Sequence, residues 1–169
     1  MIGKEKLSLF LANVDHLPKG KKAILARNHA LFKDAKYDVV LTIMECVPDD
    51  IYVSKKEYQM LLFVASVRCE LGHSDSADPK YAVAEAVCKM ENSDNKFSDL
   101  LQQDTASNRV YPLMRRYLSM YKGAVNTYTL YCNLACWDED TSVQGKRYKK
   151  CMPVRYEWTA AFTKQSKRE

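Results

Sequence analysis

The sequence predicts an all-α fold: two small helical bundles, about eight to nine helices in all, packed side by side. Three observations lead there. Apolar residues recur with a period near 3.6 in almost every segment. Residues that start and stop helices stand at the ends of those segments. Only five glycines and five prolines occur among 169 residues, and no Asn-Gly or Asp-Gly pair marks a hairpin.

The elements follow in order. Leu7, Phe10, Leu11 and Val14 mark a first helix, which Pro18 and Gly20 end. A short second helix carries Ala23, Ile24, Ala30 and Leu31. Val39, Val40, Ile43, Met44 and Val47 mark a third, stopped at Pro48; the cluster is β-branched, but its i, i+3, i+4 spacing is helical. Ser54 stands three residues before Glu57, the pattern in which a hydroxyl and a carboxylate reciprocally satisfy free backbone N–H groups at a helix start. The helix it opens has Tyr58, Leu61, Leu62, Ala65 and Cys69 on one face and ends at Gly72. A polar loop from His73 to Pro79 leads to a helix with Val83, Ala84, Ala86, Val87 and Met90.

Asn92-Ser93-Asp94-Asn95 is the expected boundary, giving an N-terminal helical bundle over 1–93 and a basic C-terminal bundle over 94–169. The second unit begins with a short helix carrying Phe97, Leu100 and Leu101. Leu113, Met114, Tyr117, Leu118 and Tyr121 form the next, with Pro112 in its first turn and Gly123 closing it. Tyr128, Tyr131, Leu134 and Ala135 mark a helix ending near Trp137, followed by a polar stretch from Asp138 to Gln144. The last helix starts at Pro153 and carries Val154, Trp158, Ala161 and Phe162.

Charge is distributed unevenly. Residues 1–93 hold 13 Lys/Arg against 13 Asp/Glu, whereas residues 94–169 hold 13 against 8, so the whole net charge of +5 sits in the second half. Such asymmetry points to a polyanionic partner. No run approaches the roughly 18 apolar residues of a membrane span, and no signal-peptide core follows the Met1-Ile2-Gly3-Lys4-Glu5-Lys6 start, so a soluble cytoplasmic protein with no membrane partner is expected. In that setting Cys46, Cys69, Cys88, Cys132, Cys136 and Cys151 read as reduced thiols.

Catalytic signatures are missing. The sequence has no glycine-rich phosphate loop and no GxSxG, and His16, His29 and His73 have no HxxxH or HxxE partner. Cys132 and Cys136 share a helix face but lack two further ligands in sequence, and read as packing residues. Asp138-Glu139-Asp140 lacks the spacing and glycine of a calcium loop and reads as a solvated helix end. The expectation is a non-enzyme with no cofactor, no metal and no small-molecule substrate.

Three basic clusters remain. Lys19, Lys21, Lys22 and Arg27 surround the first glycine turn. Arg115 and Arg116 have Arg109 and Lys122 on the same or adjoining turns. Lys146, Arg147, Lys149 and Lys150 flank Tyr148 and lead on to Arg155. Lys and Arg in such clusters neutralise phosphates and give salt-sensitive, sequence-independent affinity, to which Tyr148 adds a surface for an unpaired base. The candidate nucleic-acid-binding residues are therefore Lys21, Lys22, Arg27, Arg109, Arg115, Arg116, Lys122, Lys146, Arg147, Lys149, Lys150 and Arg155. Two other readings stand beside this one: a helical regulator that reads duplex DNA in the major groove, and a structural adaptor using tyrosine- and methionine-rich faces.

Four segments, in order, carry a family resemblance. They are Phe97-Ser98-Asp99-Leu100-Leu101-Gln102-Gln103-Asp104, Leu113-Met114-Arg115-Arg116-Tyr117-Leu118, Leu130-Tyr131-Cys132-Asn133-Leu134-Ala135-Cys136-Trp137, and Val154-Arg155-Tyr156-Glu157-Trp158-Thr159-Ala160-Ala161-Phe162. Near the start, Gly20-Lys21-Lys22-Ala23-Ile24-Leu25-Ala26-Arg27 adds a glycine-basic-alanine-leucine-arginine helix. Together these resemble the CasB family, the small subunit of the type I-E CRISPR interference complex Cascade. The resemblance implies two helical bundles and a second copy of the chain in the complex. It also implies contacts with the backbone subunits that coat the guide RNA and with the large subunit. Finally it implies a basic surface that steadies the R-loop by holding target DNA strands, with no sequence preference and no catalysis.

Overall fold

The computed structural model describes residues 2–138 and 154–168. Their regular elements are α1 (Lys4–His16), α2 (Lys19–Arg27), a 3-10 turn (Phe32–Asp34), α3 (Tyr37–Cys46), α4 (Lys55–Leu71), α5 (Pro79–Cys88), α6 (Ser93–Gln102), α7 (Val110–Tyr121), α8 (Thr127–Ala135) and α9 (Val154–Ser166). Among the described residues there is no strand, only a single bridge between His73 and Val125. The fold is all-α. No described helix is long and apolar enough to cross a membrane.

Helix α4 is the central rod. Every residue from Gln59 to Val67 is buried, so it is covered on all sides rather than on one stripe. Its start is the expected reciprocal cap: Ser54 Oγ accepts from the Glu57 N–H at 3.3 Å, and Glu57 Oε2 accepts from the Ser54 N–H at 3.0 Å. Its end is Gly72, at φ 83° and ψ −177°, a conformation that side chains rarely adopt.

Other boundaries refine the sequence expectation. Gly20 does not stop a helix; it lies in the first turn of α2, which begins directly after Pro18. Ala30 and Leu31 fall beyond the end of α2, in the segment leading to the 3-10 turn. Helix α7 is closed by Lys122 in the left-handed conformation at φ 59°, not by Gly123. Gly123 serves a different purpose: a Cβ there would stand 2.5 Å from Tyr121 Cε1. Pro112 does lie in the first turn of α7, where its missing N–H is harmless. Pro79 is the first residue of α5, capped by Asp78.

The packing interleaves the two halves of the chain. Helix α4 packs mainly on α2 and α8, while α5 packs mainly on α9 and α7. Thus α5 rests on helices of the second half and α8 on a helix of the first. The stretch Asn92–Asn95 forms the first turn of α6, with Asn92 left-handed at φ 54°. One cluster of buried apolar residues runs from Ile2 to Phe162.

Aromatic pairs join the last helix to this core. Trp137 and Trp158, both fully buried, meet edge to face at 5.1 Å, and Phe97 stacks on Phe162 at 4.2 Å. Asp138 departs from the solvated role expected of its acidic run. It accepts from the Thr105 N–H at 2.9 Å and from the Thr105 hydroxyl, and it pairs with Lys56 at 3.2 Å and Arg155 at 3.5 Å. This one carboxylate clasps α4, the loop before α7, and α9. Glu139, Asp140, Cys151 and Pro153 lie outside the described residues.

Candidate nucleic-acid interface

The expected cations separate into distinct groups. Adjacent arginines on α7 differ in burial, because one helical step turns the side chain by about 100°. Arg115 is buried, donates to the Ala26 carbonyl at 2.9 Å and pairs with Glu70. Burial pulls its guanidinium below the usual value, against the pull of Glu70. Arg116 is exposed.

Two others have partners within the protein. Arg155 donates to the Gln103 carbonyl at 3.1 Å and lies over the Trp137 ring at 5.7 Å. Lys21 is paired with Glu45 on α3. Lys22 is half-buried, and its charge adds to the Arg68 hydrogen bond that holds the Asp15 carboxyl low. Arg27, Arg109 and Lys122 are exposed, at the end of α2 and at the two ends of α7. Lys146, Arg147, Lys149 and Lys150 lie outside the described residues.

Two hollows adjoin at Gln59 of α4. The first is a cleft of about 360 Å³ between α4, α7 and the segment 28–31. Its walls include Leu62, Phe63, Tyr111 and Pro112, with Arg116 and His29 also on its lining and no acidic residue. The second, of about 370 Å³, is lined by Lys33, Lys55 and Lys56 together with Phe32, Thr105 and Asn108. Gln59 lines both, so they adjoin. Gln59 also fixes the segment between them, accepting from the Phe32 N–H at 2.7 Å. The Phe32 ring stacks on Tyr58 at 5.1 Å. Lys33 and Lys55 are exposed, and Lys56 is exposed but tied to Asp138.

The sequence reading missed Lys33, Lys55 and Lys56. They belong to the half whose formal charge is neutral, and only the fold brings Lys33 beside the start of α4. The Lys55-Lys56 pair next to a helix cap was the available signal. A third hollow holds Arg27 and Lys36, but Asp34 and Asp38 share its lining.

A separate exposed feature lies on α3. Tyr37, Leu41 and Met44 occupy successive turns and are 77%, 40% and 49% exposed. The cysteines carry no metal cluster: among the described residues no group of three or more His, Cys, Asp and Glu is placed to hold an ion. Cys132 and Cys136 are half-buried on and just after α8.

What the geometry offers chemically is therefore a set of exposed cations, Arg116 on the cleft and Lys33 and Lys55 on the second hollow, beside aromatic and apolar walls. Compared with models of known protein families and with characterised proteins, the chain has no match.

Proposed function

We propose that this chain is the non-catalytic small subunit of a type I-E CRISPR interference complex, Cascade. In this role it binds nucleic acid by its backbone, without sequence preference, and stabilises the R-loop on target DNA during antiviral defence in the cytoplasm. Its partners are the backbone and large subunits, a second copy of itself, the guide RNA and the target DNA strands. The observation that carries the reading is the run of exposed cations, Arg116, Lys33 and Lys55, beside hollows that no carboxylate lines. Charge so arranged draws phosphates by counterion release and reads no base edges. The ordered motifs ending at Asp104, Leu118, Trp137 and Phe162 supply the family resemblance.

The test is anisotropy of a labelled single strand titrated with the full-length protein across a salt series. Arg116→Glu, Lys33→Glu and Lys55→Glu should each weaken binding uniformly across sequences and flatten the log–log salt slope by about 1. Unchanged affinity and slope in the triple variant, or strong preference for one duplex, overturns the reading. Co-purification with guide-loaded complex tests the assembly itself.

A major-groove regulator is disfavoured because α7 buries Arg115 and carries no Asn or Gln to read base edges. A purely structural adaptor is the second reading, favoured by the apolar row Tyr37, Leu41 and Met44 on α3. It predicts that Leu41→Asp and Met44→Asp abolish complex assembly while strand affinity of the isolated chain is absent from the outset.

A further inference from the structure

We propose that the cleft between α4, α7 and the segment 28–31 takes one unpaired nucleotide, its base inside the cleft and its phosphate on Arg116. The proposal rests on the nucleic-acid reading above and deepens it, from backbone attraction to a defined seat for a single residue of a strand.

Size is the first argument. About 360 Å³ falls in the range of roughly 300–1,000 Å³ that small-ligand clefts occupy, room for a heterocycle and its sugar but not for a duplex. The walls are the second. Phe63 and Tyr111 meet at 5.3 Å with their planes inclined at 56°, and with Leu62 and Pro112 they give the apolar, aromatic lining that a base's faces favour.

Polar side chains stand among these walls: Asn28 and Gln59 line the cleft and carry amide groups of the kind that pair with a base edge.

Charge comes from one exposed residue, since Glu70 neutralises Arg115. Arg116 is exposed and has no acidic neighbour on the lining, so the free positive charge stands where the sugar–phosphate would leave the cleft. Gln59 then leads to the Lys33 and Lys55 hollow, which continues the path for the next phosphates.

The experiment compares three labelled 15-mers on the full-length protein: oligo-dT, oligo-U, and an abasic deoxyribose-phosphate strand of equal length. The wild type should bind a base-bearing strand about tenfold more tightly than the abasic one, the scale of one stacked base. Ala30→Trp plugs the cleft from an exposed position and should bind all three equally, at the abasic level. Arg116→Ala should weaken all three strands while keeping the base dependence, and being exposed it serves as the variant whose folding is not at risk. Oligo-dT against oligo-U tells DNA from RNA as the source of the nucleotide. Equal wild-type affinity for abasic and base-bearing strands, or base dependence that survives Ala30→Trp, overturns the proposal while leaving backbone binding standing. Binding of none of the three strands removes the nucleic-acid reading and this proposal together.

Discussion

Trp137 and Arg155 share one acceptor: the Gln103 carbonyl receives the Trp137 Nε1–H at 2.9 Å and an Arg155 N–H at 3.1 Å. The guanidinium also lies over the indole ring. A cation that the sequence offers as a phosphate contact is thereby part of the joint between α8, α9 and the end of α6. Arg155→Ala should lower stability by about 1–2 kcal/mol, the scale of a charge-assisted hydrogen bond, and leave strand affinity where it was. The urea midpoint and an anisotropy titration on the same preparation check both halves.

The neighbouring arginines of α7 should respond oppositely. Glu70→Gln leaves the buried Arg115 guanidinium without its carboxylate and should cost about 2 kcal/mol, with a lower melting temperature. Arg116→Ala should leave the melting temperature within a degree or so, as surface changes usually do, and lower strand affinity. If both changes fall on the same observable, the division of labour between the two residues is wrong.

Acid should loosen the contact of α1 with α4. The Arg68 guanidinium bonds both oxygens of Asp15, at 2.7 and 2.6 Å, and holds that carboxyl below its ordinary value of 3.8. A carboxyl whose folded pKa is depressed adds stability above its unfolded pKa, and that stability is lost as pH falls through the folded value. Asp15 is half exposed, so solvent screening keeps the term to about 1 kcal/mol or less. Melting temperatures of wild type and Asp15→Asn should differ at pH 7 and converge between about pH 4 and pH 2.

Gly72→Ala should destabilise by about 1–3 kcal/mol through backbone strain alone. The added methyl would sit 3.7 Å from Ala124 Cβ, an ordinary contact, so crowding is not the cause. A van't Hoff melt of the two proteins measures the difference. Gly20→Ala is the control: its Cβ meets nothing within 4 Å, and it should be neutral or mildly stabilising.

Thiol reactivity should follow burial. The Cys46 and Cys69 thiols are each pushed up to about 11, chiefly by burial. At pH 8 the thiolate fraction there is small, and iodoacetamide should leave both unmodified in the native protein while labelling them in urea. Peptide mass mapping of the two samples decides it.

Helix existence was legible because the apolar period of α1, α3 and α7 is strong and the Ser54–Glu57 cap is a local signature. What the period could not reveal was which way a single cation turns once tertiary partners compete for it. Arg115 and Arg116 are equivalent as letters; Glu70 and the Ala26 carbonyl distinguish them. The grouping of Lys33 with Lys55 and Lys56 depends on the fold joining positions more than twenty residues apart. Asp138 looked like one of three solvated acids because Thr105, Lys56 and Arg155 are distant in sequence.

The exchange of helices between the halves has a mechanical consequence. With α5 seated on α9 and α7, and α8 seated on α4, a hinge near residue 92 would have to tear apart buried surface on both sides. Separately expressed halves should therefore each expose an apolar face and aggregate, and should regain solubility only when co-expressed. Each half therefore depends on the other to cover its apolar faces.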